Sequence, residues 1–131
     1  MTKTKQEQYA LLQMIDQQIK QTQKQMRTLK MQQEELLGSM QAIDDLAKCE
    51  LGSEILVPVT NGIFVKATLK EKDTFTVNIG ANAVVKKDNT SVKKLLEDQF
   101  KEVEGVLIQL NHDIQEMSQQ GMQIEDELNK Q

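Results

Sequence analysis

The residues able to do chemistry in this chain are few, and their spacing does not bring them together. The one histidine, His112, could serve as a general base or a metal ligand, and the one cysteine, Cys49, as a nucleophile. No motif pairs them, and a zinc site needs more His and Cys ligands than this chain holds. His112 falls on the outer side of an amphipathic pattern and reads as a solvated surface residue. Cys49 stands at the end of such a pattern. Carboxylates adjoin at Glu34–Glu35 and Asp44–Asp45. Neighbours on a helix point about 100° apart, so neither pair is held face to face for acid–base work. Gly62 and Gly80 sit in turn segments, and no glycine-rich loop leads into the Lys and Ser or Thr that cradle phosphate. The sequence predicts no enzyme, no cofactor and no metal.

Charge narrows the classes further. The chain has 131 residues, a formal net charge of −4 and a pI of 5.1. This argues against a nucleic-acid binder that works by neutralising phosphates. A single cysteine cannot close an internal disulfide and suits a reducing compartment, so a cytoplasmic location is expected. The N-terminus alternates Lys with polar residues and lacks the apolar core of a signal peptide. No apolar run is long enough to span a bilayer, and no membrane partner is expected.

The elements that must position everything else are two heptad stripes. Leu12, Ile15, Ile19, Thr22, Met26, Leu29, Gln33, Leu36, Met40, Ile43 and Ala47 recur at alternating steps of three and four. Leu96, Phe100, Val103, Leu107, Leu110, Ile114, Met117, Gly121, Ile124 and Leu128 do the same. Such alternation is the coiled-coil pattern, and it predicts helices over residues 5–48 and 90–130. Folding the chain back pairs Met40 with Phe100, Met26 with Ile114, Ile19 with Gly121 and Leu12 with Leu128. The residue numbers in each of these pairs add to 140, and those of Leu36 with Val103 to 139. The two chain ends then lie side by side.

Between the helices, residues 54–87 read as two β-hairpins. Glu54–Val59 is aliphatic and β-branched, with Pro58 marking an edge strand or a bulge. Asn61-Gly62 is a strong hairpin turn because both residue types tolerate positive φ. Ile63 to Leu69 returns, with Ile63, Val65, Ala67 and Leu69 on one face. After Lys70–Asp73, residues Phe75, Val77 and Ile79 alternate with Thr74, Thr76 and Asn78, so one face is to be covered. Gly80-Ala81-Asn82 turns the chain into Ala83-Val84-Val85. Such a segment is too small to support a core alone, which predicts association with other chains.

Apolar residues off the stripes are the remaining clue. Tyr9, Leu11 and Met14 near the start of the first helix, and Met122 near the end of the second, gather at the free ends in the antiparallel arrangement. Methionine repacks readily against varied partners, so such a cluster is a candidate binding surface. Gly121 and Thr22 thin the seam beside it and should leave these end turns soft.

Helix, double hairpin, helix, with the strand segments Glu54-Ile55-Leu56-Val57-Pro58-Val59, Phe64-Val65, Val77-Asn78-Ile79-Gly80 and Val84-Val85-Lys86-Lys87-Asp88, resembles the alpha-class subunit of prefoldin over nearly the whole chain. The resemblance implies an α+β fold, a long antiparallel two-helix coiled coil joined at one end by two hairpins that complete an inter-subunit β-barrel platform. It implies a hexamer of two alpha and four beta-class prefoldin subunits. The implied activity is ATP-independent holding of unfolded polypeptides and their delivery to a group II chaperonin. Client contact is expected at Tyr9, Leu11, Leu12, Met14, Ile15, Met122, Ile124 and Leu128. Assembly is expected through Ile55, Val57, Val59, Ile63, Val65, Phe75, Val77, Ile79, Val84 and Val85. Two rival classes remain: a coiled-coil tether or scaffold binding one defined partner, and a factor inserting its tip into a polymerase channel. The latter carries a helical bend with acidic residues where this chain has strands.

Overall fold

A computed structural model describes residues 4–130. The order is α1 (Lys5–Lys48), β1 (Glu54–Thr60), β2 (Ile63–Thr68), β3 (Thr74–Gly80), β4 (Ala83–Asp88) and α2 (Asn89–Asn129). The chain divides into two compact units, Met1–Glu34 with Lys101–Gln131, and Glu35–Phe100.

Both helices begin on a side-chain cap. Thr4 Oγ1 accepts from the Glu7 amide at 3.2 Å, and Asp88 Oδ1 accepts from the Ser91 amide at 2.8 Å. Each bond satisfies an amide that the helix itself leaves without a partner. Asp88 takes the capping role, so α2 opens at Asn89.

In the first unit, the start of α1 lies beside the end of α2. Gln8 Nε2 donates to Glu127 Oε2 at 3.0 Å, and Gln33 Nε2 donates to Glu104 Oε2 at 2.6 Å. A Cβ built on Gly121 would lie 3.8 Å from Ile15 and 3.9 Å from Leu12. In the second unit, Lys93 pairs with Asp44, and Ile43 and Val92 are buried. Every stripe residue is buried or half-buried.

The register, however, differs from the one the stripes suggested. The numbers of the paired residues add to 135 for Gln8–Glu127 and to 137 for Gln33–Glu104 and Asp44–Lys93. Gly121 therefore faces Ile15 and Leu12 rather than Ile19. A heptad stripe is satisfied by two antiparallel registers about half a heptad apart. The polar contacts and the glycine notch mark the one adopted.

In the second unit each hairpin is its own two-stranded antiparallel sheet. Glu54 pairs with Thr68, Leu56 with Lys66, Val57 with Val65 and Pro58 with Phe64, with an irregularity between Pro58 and Thr60. Thr74 pairs with Asp88, Val77 with Val85 and Asn78 with Val84. β2 stops at Thr68. Leu69, buried, still bonds across: its amide donates to Ser53 O at 2.9 Å and its carbonyl accepts from Gly52 at 2.8 Å. Lys72 Nζ donates to the Cys49 carbonyl at 3.2 Å, and the Asn89 amide to Asp73 O at 3.2 Å. These bonds tie the hairpins to the adjoining helix ends.

Both hairpins turn where the sequence reading puts them. At Asn61-Gly62 only Gly62 has positive φ, 78°, beside the irregularity between Pro58 and Thr60, so this is not the both-positive type I′ turn. The both-positive pattern of a type I′ turn appears instead at Ala81 (φ 50°) and Asn82 (φ 62°).

Candidate functional site

The chemistry-bearing side chains are occupied with ordinary structural contacts. His112 Nε2 lies 3.0 Å from Glu116 one turn along α2, both exposed. The Cys49 thiol donates to the Asp45 carbonyl at 3.4 Å. Asp45 accepts from Gln41, Asp44 pairs with Lys93, and Glu35 offers its carbonyl to Ser39. Among the described residues no group of His, Cys, Asp and Glu is arranged to hold a metal ion, and no helix is long and apolar enough to cross a membrane. Glu71 is held below the usual carboxylate range by a 2.5 Å hydrogen bond from Thr74 and by Lys86 at 3.6 Å. This cluster braces the second hairpin.

Among the described residues, exposed apolar side chains gather in two places, apart from Met31, Leu37, Leu51, Val106 and Ile108. The first is where α1 begins and α2 ends. Tyr9, Met14 and Met122 are 59%, 58% and 64% exposed. Leu11, Leu12, Ile124 and Leu128 are half-buried, and Ile15 is buried. Of the expected contact residues, then, three stand free. Leu12, Ile15, Ile124 and Leu128 lie on the stripes and offer their apolar surface fully only where the seam opens.

The softness of that seam has a residue the apolar pattern passes over. Gln8 continues the α1 stripe, four residues before Leu12, and is 5% exposed. Its Oε1 is buried without a hydrogen-bond partner. A buried polar group left unsatisfied costs about 1–3 kcal/mol, so these turns hold together less tightly than an all-apolar seam. A count of apolar residues cannot find Gln8, but extending the three-four step by one position does.

The second exposed surface is the hairpins. Val57, Val59, Ile63, Val65, Ile79, Val84 and Val85 are exposed, and Ile55, Phe75 and Val77 are half-buried. Residues paired across a sheet share a face, and alternate residues change face. Ile55, Val57, Val65 and Ala67 thus form one apolar face of the first hairpin. Leu56, Pro58 and Phe64 form the other, also exposed and not singled out by the alternation. In the second hairpin Val77 and Val85 share a face, whereas Val84 lies with Asn78 on the opposite one. Among the described residues, all four strands have one edge unpaired. Open edges beside exposed Val, Ile and Phe are surfaces with which other strands can pair.

Comparison with known proteins accords with this architecture. A family model described as Prefoldin subunit matches residues 15–131. A prefoldin subunit alpha from Thermofilum pendens is 30% identical over 80 residues, 61% of this chain and 62% of the relative, so the match spans under two thirds of that relative's length. One from Methanococcus aeolicus is 31% identical, over 91% of this chain and 71% of the relative. The cryo-EM structure of filamentous PFD from Methanocaldococcus jannaschii superposes with a TM-score of 0.80 at 21% identity, covering 94% of this chain and 99% of that one.

Proposed function

The chain belongs to the prefoldin family, as a subunit of its alpha class, and from that premise we propose that it is the alpha subunit of an ATP-independent holding chaperone. Two copies assemble with four beta-class subunits through their hairpins. The joined helix ends capture unfolded polypeptides in the cytoplasm and pass them to a group II chaperonin. One observation carries this reading: Tyr9, Met14 and Met122 stand exposed at helix ends whose seam is weakened by Gln8 and Gly121. Apolar side chains on turns that can open suit clients of no fixed shape. Each contact is weak, and several subunits gripping together supply the affinity.

The strands support the assembly half of the proposal. Their apolar faces and open edges are complete only when other subunits cover them. Nothing in the chain resembles a phosphate-binding loop, so holding requires no nucleotide.

The test removes roughly three turns, about ten residues, from each end. The shortened chain should still join its beta-class partner at full size but fail to suppress aggregation of a denatured protein. Intact suppression would place client contact elsewhere. Wild-type suppression should survive salt that shrinks the Debye length from about 10 Å towards 3 Å, and ATP should leave it unchanged. A chain that ignores several unrelated unfolded proteins while binding one folded partner would instead be a tether.

A further inference from the structure

We propose that Gln8 is a contact residue for the captured polypeptide: its side-chain amide accepts a hydrogen bond from a main-chain N–H of the client when the joined helix ends part. The role rests on the chaperone reading and deepens it, because it gives the site something to recognise besides apolar surface.

Gln8 stands on the α1 stripe, four residues before Leu12, and is buried. The register that joins Gln8 to Glu127 and Gln33 to Glu104 sets Leu128 across from Gln8 and Ile124 across from Leu12. The amide thus lies in the seam among residues expected to meet clients, with exposed Tyr9 next along the chain. Its orientation is fixed. A carboxylate accepts hydrogen bonds, so Nε2 turns to Glu127, at 3.0 Å, and Oε1 is the atom left inside. Among the described residues that oxygen has no partner. The closed ends therefore hold an acceptor that they cannot satisfy.

When α1 and α2 part, Leu12, Leu128 and this oxygen are uncovered together. A polypeptide laid across the apolar side chains displaces water from the oxygen, which then needs a new donor. An unfolded chain carries a main-chain N–H at every residue except proline, close to any apolar side chain it inserts. In a folded protein most of those N–H groups are already taken by helices and sheets. Apolar surface alone does not tell an unfolded chain from a folded protein with an apolar patch. An acceptor sunk among apolar side chains does. Side-chain donors depend on the client's sequence, whereas main-chain donors recur in all clients, which suits a site that takes many of them.

The test uses the full chain in its assembled complex and two probes: an unstructured apolar peptide, and the same peptide N-methylated at every peptide bond. Methylation removes the donors while adding apolar surface. The wild-type complex should bind the unmethylated peptide about fivefold more tightly. Gln8→Met keeps an unbranched side chain of similar length without the acceptor, and should bind both peptides equally. Firmer ends would also weaken binding in that variant, so Gly121→Ala separates the two effects: it firms the ends and leaves the amide in place. It should lose affinity for both peptides to the same degree and keep the preference. Equal binding by wild type, or a preference that survives in Gln8→Met, would overturn the contact and leave the chaperone reading standing. A preference lost in Gly121→Ala as well would trace it to opening of the ends and overturn the contact too. Failure of the wild-type complex to bind either peptide would overturn both.

Discussion

Gln8 donates a 3.0 Å hydrogen bond to Glu127 across the helix pair while its own Oε1 stays buried and unpartnered. One side chain thus links the first turns of α1 to the last turns of α2 and limits how firmly they join. Replacing it with Leu removes the unsatisfied oxygen and adds apolar contact, while Glu127 is exposed and loses little. Gln8→Leu should stabilise the pair by about 1 kcal/mol, read as a rise in the helical melting temperature. A clear drop would show that the hydrogen bond outweighs the buried oxygen.

Gly121 offers a second handle. A methyl there would sit at ordinary contact distance, 3.8 Å from Ile15 and 3.9 Å from Leu12. Gly121→Ala should therefore gain about 1 kcal/mol from helix propensity alone. The informative measurement is paired: thermal stability should rise while aggregation suppression falls. Stability gained with suppression unchanged would mean that end softness plays no part in holding.

Ala81 carries a left-handed backbone, φ 50°, at a turn where glycine would sit without strain. Ala81→Gly should stabilise the second hairpin by roughly 1 kcal/mol. Slower amide exchange across β3 and β4 would report it. Unchanged exchange would mean that the hairpin is held by its neighbours rather than by its turn.

The covered face of the second hairpin can be tested with one strand's alternation. Ile79 is 60% exposed in the single chain, so Ile79→Asp should shift the stability of the isolated chain by no more than about 0.5 kcal/mol. In the complex the same carboxylate would be buried, so the assembled species should be lost. A full-sized complex in sedimentation would show that Ile79 faces solvent there. Val77→Asp, half-buried against Val85, should harm both chain and complex.

Acid should weaken the cap at the start of α2. Asp88 is held below the usual carboxylate range by its hydrogen bonds from Ser91, side chain and amide. A lowered folded pKa means that the cap stabilises fully above the unfolded carboxylate range, near pH 4, and is lost as pH falls through the lower folded value. Helicity should decline in that window, and Asp88→Asn should flatten the decline. An unchanged acid limb in the variant would assign the loss to other carboxylates.

Much of this fold is legible in the sequence because helices and strands leave periodic marks. Each stripe position from Leu12 to Ala47 and from Leu96 to Leu128 is buried or half-buried, and the hairpins fall where alternation put them. Register was not legible, since the same heptads fit two alignments and a polar residue, Gln8, marks the adopted one. Turn type was not legible either. Asn61-Gly62 could take either pattern, and Ala81 accepts a conformation that alanine disfavours. The exposed ends of the helices were visible as off-stripe residues. The second apolar face at Leu56 and Phe64 was not, because alternation directs attention to one side of a strand.

The two separate hairpins carry a consequence for how such a chain is managed after synthesis. Each is an unfinished sheet, and a copy made in excess of its partners keeps its strand edges and its Val, Ile and Phe side chains in water. Such a copy is prone to aggregate and open to proteolysis. On the proposed assembly, the supply of partner strands sets how many copies persist.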